Sequence, residues 1–231
     1  MCGLDYTTRD KILWATLAVL CAASAAAYVL WALPAMPDTV PTHWGTSGAA
    51  DGWDDKGSTV FMGALMPILV LALLFLVPRL DPRGASFSRF KGVYQGFSVA
   101  FTVFMVTMSW LTPLSALGVL PTEGGPLVNV IVLGFLGLLF AGLGLVMPRI
   151  EPNYTFGVRV PWALADPENW RRTHRFAGPV FVVMGVAMLA VGALASALPE
   201  AVAVVALLVA LLGGVALVAL YSFLLWKGVI R

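Results

Sequence analysis

The sequence predicts an all-α integral membrane protein with six transmembrane helices and both termini on the cytoplasmic side. Three observations lead there. Of the 231 residues, 60% are hydrophobic and 11% charged, and the mean hydropathy is +0.90; a soluble domain carries ~25% charge. The few charges cluster, leaving residues 12–33, 58–78, 93–120, 126–148, 178–198 and 201–226 free of Asp, Glu, Lys and Arg. Each run is near the ~20 residues that an α-helix needs to cross ~30 Å of hydrocarbon, and such continuous runs are unlike the ~10-residue alternating segments of a transmembrane barrel. Thirteen of the fourteen Lys and Arg, from Arg9 and Lys11 to Lys227 and Arg231, fall on one side of these spans, with Lys56 alone on the other. Basic residues favour the cytoplasmic side. The net charge of +2 belongs to that asymmetry and carries no signal of nucleic-acid binding.

The first span follows Arg9 and Lys11 and resembles a signal peptide in having an Ala-x-Ala site near Ala27, but it continues to Leu33, too long for a signal h-region, so an uncleaved helix is expected. Cys2 and Cys21 fall at the N-terminus and mid-span, which predicts no disulfide. Residues 34–57 form the main external loop, an ordered segment of prolines, glycines and aromatics whose ionisable groups include His43, Asp51, Asp54, Asp55 and Lys56. The second and fourth spans end on an echo, Pro-Arg-Leu-Asp-Pro at 78–82 and Pro-Arg-Ile-Glu-Pro at 148–152. Proline stops each helix, and the arginine meets both its negative end and the inside bias. The echo is compatible with duplicated two-span hairpins or with convergent helix endings. Polar residues within the spans, among them Ser24, Gln95, Asn129 and Ser222, suit interhelical hydrogen bonds, and Gly134, Gly137, Gly142, Gly144, Gly213 and Gly214 suit close packing.

The stretch before the fifth span is the most polar of the chain. Asp166-Pro167-Glu168 has the residues of a helix start: an N-cap, proline at the first position and an acid in the first turn. A short amphipathic helix is expected from there to Ala177, with Trp170, Thr173, His174 and Ala177 on one face and Arg171, Arg172 and Arg175 on the other. Gly178 and Pro179 then reset the backbone. The arginines are expected at lipid phosphates and Trp170 in the headgroup belt. Arg159, between Gly157 and Pro161, is placed to organise backbone carbonyls or the acids Glu151 and Asp166.

The phrase formed by Asn153, Tyr154, Gly157, Arg159, Pro161, Trp162 and Leu164, leading into Trp170, Thr173, His174 and Gly178, resembles the loop of the SdpI family. Residues 33–57, with Pro-x-x-Val-Pro-x-His-Trp, a glycine, an aspartate and a lysine, resemble the DUF1648-like N-terminal module of unknown function. The resemblance implies a two-span module over 1–92 and a four-span SdpI-like module over 93–231 with its cytoplasmic loop at 149–177. It also implies a bacterial inner-membrane protein conferring immunity to a secreted peptide toxin and, in the founding member, relaying toxin binding to a cytoplasmic autorepressor. On that reading His43, Trp44, Asp51 and Lys56 are the external binding candidates, and Asn153, Tyr154, Gly157, Arg159, Pro161, Trp162, Trp170, Thr173 and His174 the signalling or structural ones.

Read on their own, these residues leave alternatives open. His43 and Asp51 form either a closing pair for the loop or part of a peptide or ion site. One external histidine is too few for zinc, and Asp54-Asp55 lacks a calcium-loop pattern, so no metal or other cofactor is expected. Transport of an ion or small molecule is the first rival function, although ion-coupled carriers place ionisable residues within their spans, whereas these spans hold none. The second rival is an enzyme at the inner interface using His174 with Asp166 or Glu168; no nucleophile elbow, zinc motif or phosphate loop supports it, and a non-enzyme is expected. The expected partners are the bilayer, the toxin and the repressor, with no direct nucleic-acid contact.

Overall fold

The structure, a computed structural model, describes residues 6–195 and 197–230, so Cys2 and Arg231 lie outside the described residues. Six helices of membrane-spanning length follow one another up and down: α1 (Thr8–Ala35), α2 (Lys56–Leu80), α3 (Lys91–Ala116), α4 (Pro126–Arg149), α5 (Pro167–Leu194) and α6 (Glu200–Trp226). Each predicted apolar run lies largely or wholly within one of them. The α1 start carries a feature that the apolar pattern does not show. Thr7 and Asp10 form a reciprocal capping box, the Asp10 carboxylate accepting from the Thr7 N–H at 2.7 Å. The same carboxylate takes the Lys91 ammonium and the Gln95 amide of α3, each at 2.8 Å, so a buried acid ties the first and third spans at the end where the arginines gather.

That end, which also receives the α2–α3 and α4–α5 loops, is here the basic end; the opposite end is marked by a β-hairpin. Strand β1 (Thr39–Trp44) pairs antiparallel with β2 (Ala50–Asp55), with an irregularity between Pro41 and His43. The segment expected outside is therefore a small sheet. Val40 and Pro41 of β1 are buried, while Thr112 of α3 donates to the Pro41 carbonyl at 3.0 Å. Gly48 turns the hairpin at φ 76°, and a Cβ there would meet the Gly125 carbonyl oxygen, so both the turn and its close approach to the α3–α4 loop require glycine. The Ala50 N–H donates to the Thr122 carbonyl and the Gly125 N–H to that of Ser47. The hairpin is fastened along its tip.

Helices α4 and α5 make the closest crossing. Gly144 faces Gly178 and Gly137 faces Gly185, and a Cβ at any of the four would lie within 3.0 Å of the opposing backbone oxygen. Helices approaching this closely need small residues, because van der Waals contact replaces the hydrophobic effect inside a bilayer. Gly134 and Gly142, grouped with them by sequence, have nothing within 4 Å of such a Cβ and take no part.

Two expectations about α5 change. The amphipathic segment is not a separate helix; it runs through Gly178 and Pro179 into the fifth span as one helix of 28 residues. Pro179 forfeits the backbone hydrogen bond to the Arg175 carbonyl, and α5 continues through it because its packing on α4, with Gly178 held against Gly144, fixes the backbone on both sides of the ring. Trp170 is not in a headgroup belt either. It is 1% exposed and donates its indole N–H to the Ile150 carbonyl at 2.8 Å, because its face of the helix turns toward the α4–α5 loop.

Candidate functional site

The basic-end loop, residues 150–166, is assembled by side chains that replace the backbone pairing a loop lacks. Asn153 is fully buried; its amide donates to the Glu151 and Phe156 carbonyls at 2.8 and 2.9 Å, and its Oδ1 accepts from the Thr155 and Phe156 N–H groups. Asp81, at the end of α2, accepts the Tyr154 N–H at 2.9 Å, the Thr155 hydroxyl at 2.7 Å and the Arg83 N–H at 2.7 Å. Beneath them Phe156 packs against Phe90, Phe97 and Tyr94. Gly157, at φ 103°, lets the chain touch His174: a Cβ there would lie 2.5 Å from the imidazole Nε2. The next N–H, of Val158, donates to that Nε2 at 3.1 Å.

His174 is thereby assigned its tautomer. Nε2 accepts from a backbone amide and Nδ1 lies 2.9 Å from the Trp170 carbonyl, so the proton sits on Nδ1 and the ring is neutral in this arrangement. The ring stacks on Trp170 with centroids 4.1 Å apart. Neither Asp166, which caps α5 through the Glu168 and Asn169 N–H groups, nor Glu168, which holds Arg171 at 2.6 and 2.9 Å, bonds to it. Beside it, Thr173, Asn169 and Ser222 form a closed buried set: the Thr173 and Ser222 hydroxyls lie 2.8 Å apart, Ser222 donates to the Asn169 Oδ1 at 2.6 Å, and the Asn169 amide donates to the Ser222 carbonyl. It joins α5 to α6 at the same depth as the histidine. Arg159 reaches the Tyr154 carbonyl at 3.4 Å and neither candidate acid, while Glu151 pairs with Arg89 at 3.8 Å. Pro161 opens a short helical turn, and Trp162 in that turn packs on Phe223.

At the hairpin end the four candidates expected outside separate. His43 Nδ1 and Asp51 Oδ1 stand 2.5 Å apart across the hairpin, with side chains 73% and 54% exposed. Lys56 folds back on the Met36 carbonyl and Asp38, each at 3.1 Å, fixing the hairpin base. Trp44 points to a cavity of about 330 Å³ between the hairpin and α1, α2 and α3. Met62, Met105 and Met108 give it a soft apolar lining, Asp54 and Thr42 stand on the hairpin side, and the Trp44 indole N–H is buried with no acceptor. Two π-helical turns, Tyr28–Ala32 and Phe61–Leu65, flank it and bring Tyr28 onto Gly63, with the Tyr28 hydroxyl donating to Thr59 at 2.7 Å. Insertions of this type widen a helix and recur at binding sites. Tyr28 and the methionines escaped the sequence reading because they sit inside apolar runs where nothing distinguishes them from packing residues.

Asp81 and Asn169 were also missed as site residues. Asp81 stands in the Pro-Arg-aliphatic-acid-Pro echo, and Asn169 lies four residues before Thr173; both signals were present, but a buried role depends on the α2 end and α6 arriving beside them. Among the described residues no group of three or more His, Cys, Asp or Glu is placed to hold a metal ion.

A six-span α-helical bundle with a fastened hairpin at one end and a side-chain-knitted loop at the other defines a multi-pass membrane protein. Residues 149–222 match the SdpI/YfhL protein family, and residues 19–67 match the domain of unknown function DUF1648. The DUF1648 match contains α1 from Val19, the hairpin and the start of α2, and the SdpI/YfhL match contains the basic-end loop, α5 and α6 as far as Ser222. No curated protein and no solved structure matches it.

Proposed function

We propose that this chain is an immunity protein of the bacterial cell membrane, with both termini inside and the hairpin outside, that protects its cell from a secreted membrane-active peptide. The cavity beneath the hairpin carries the reading. Its volume falls in the range of small-ligand sites, and its methionines accommodate varied apolar side chains. The action is binding, without turnover. Thirteen-to-one sorting of Lys and Arg supports the orientation, and the SdpI/YfhL match supports the class. Relay to a cytoplasmic repressor is the finer part of the proposal, with the Asn153–His174 loop as its surface.

The test is protection of a toxin-sensitive bacterium at equal membrane abundance of each variant. Wild type is expected to protect, Trp44→Ala and Gly63→Leu to lose protection, and His43→Ala to retain most of it. Equal survival with and without the wild-type chain overturns immunity. Impermeant amine labelling of Lys56 in intact cells, with a tag beside Arg172 kept unlabelled, is the expected outcome for the orientation, and the reverse pattern overturns it.

A further inference from the structure

The arginines of α5 stand over a groove that the toxin reading does not use. Arg171, Arg172 and Arg175 rim a recess of about 420 Å³ closed by Phe176, Pro179 and Tyr221. Phe176 and Pro179 also form the top of a second, apolar groove of about 460 Å³ that continues down between α5 and α6 past Val183 and Leu217. Head recess and tail groove are therefore contiguous, and from Arg175 to Val183 they follow α5 for roughly 12 Å. The groove exists because of two local features. Gly214 has no side chain where a Cβ would lie 2.5 Å from the Met184 sulfur, and α6 carries a π-helical insertion at Val209–Gly213 beside it. Phe176 and Tyr221 stack at 4.0 Å and close the recess between the two helices.

The charge in the recess is unbalanced. Glu168 takes both hydrogen bonds offered by Arg171, whereas among the described residues no carboxylate lies within ion-pair reach of Arg172 or Arg175. Two guanidiniums in the first turns of a membrane-spanning helix, above an apolar cleft between α5 and α6, suit a bidentate phosphodiester with an acyl chain attached.

We propose that this groove binds one anionic glycerophospholipid, its phosphate between Arg172 and Arg175 and one acyl chain between α5 and α6. The site is independent of the toxin cavity and of which leaflet the basic end faces.

The full-length protein, purified in detergent, is titrated with phosphatidylglycerol or phosphatidylcholine and bound lipid counted by native mass spectrometry. Phosphatidylglycerol is expected to be retained preferentially at one molecule per chain. Arg172→Gln with Arg175→Gln is expected to reduce that preference about thirty-fold, from roughly fivefold per basic group at an anionic surface, and Gly214→Leu to reduce retention of both lipids. Lys227→Gln, a charge loss at the same end outside the recess, is expected to leave binding unchanged and so reports non-specific attraction. Four outcomes overturn the proposal: equal retention of the two lipids, equal loss on Lys227→Gln, undiminished binding by the double variant, and full competition by soluble glycerol phosphate, which would make the recess a free-phosphate site.

Discussion

The two ends of this bundle solve the same problem, ordering a loop, by opposite means. The basic-end loop is built from buried groups whose every bond is internal: Asn153 satisfied four times by its own loop, Asp81 by three donors, and His174 by two backbone atoms. The hairpin end is held by backbone pairing and by rim contacts exposed to solvent, and it keeps a cavity with an unsatisfied donor in its wall. A buried indole N–H without an acceptor occurs at each end, Trp44 at the hairpin and Trp162 in the basic-end loop, each costing about 1–3 kcal/mol, so what separates the ends is the cavity kept beneath the hairpin against the closed hydrogen-bond sets around Asn153, Asp81 and His174. The echo makes the same point. Asp81 is buried under three donors, whereas Glu151, its counterpart, is a half-exposed acid with a 3.8 Å ion pair.

The comparison can be broken from its strongest side. Asp81→Ala leaves two N–H groups and a hydroxyl without acceptors and is expected to lower stability by about 3 kcal/mol or more; apparent Tm in detergent and protease nicking within residues 150–160 measure it, and an unchanged Tm would mean the loop is not held from α2. Gly185→Leu is expected to cost ~1–3 kcal/mol by overpacking the α4–α5 crossing, while Gly142→Leu, on the open side of α4, should leave the same unfolding curve unmoved. His174→Ala removes the acceptor of the Val158 N–H and the stack on Trp170, for an expected ~1–2 kcal/mol. Backbone hydrogen exchange at Val158 should accelerate, and an unaltered rate would show the loop standing without the imidazole. Smallest is Asp51→Asn at the hairpin, an exposed pair whose loss is expected within ~0.5 kcal/mol; a larger fall in Tm would show that the hairpin end is as tightly built as the basic end.

Much of this was legible in the residues. Hydrocarbon thickness fixes how long an apolar run must be, so six spans could be counted, and an N-cap with proline behind it marked the start of α5 in advance. The split of α5 into a buried Trp170–His174 face and an arginine face also followed from 3.6-residue periodicity. The hairpin did not, because its strands carry Pro41 and Gly52, residues that weaken a local strand signal, and its pairing is completed by contacts to the α3–α4 loop about seventy residues on. Continuity of α5 through Pro179 was hidden for a similar reason: whether a proline ends a helix depends on what packs around it.

Spans, the start of α5 and the sorting of basic residues were determined by sequence alone, since each follows from local composition meeting a solvent of fixed thickness and polarity. Which polar groups became partners was decided only by the tertiary structure. Asp10 with Lys91, Asp81 with Thr155 and Asn169 with Ser222 lie 81, 74 and 53 residues apart, and a buried hydrogen bond is set by the position of both its ends, which no local pattern encodes.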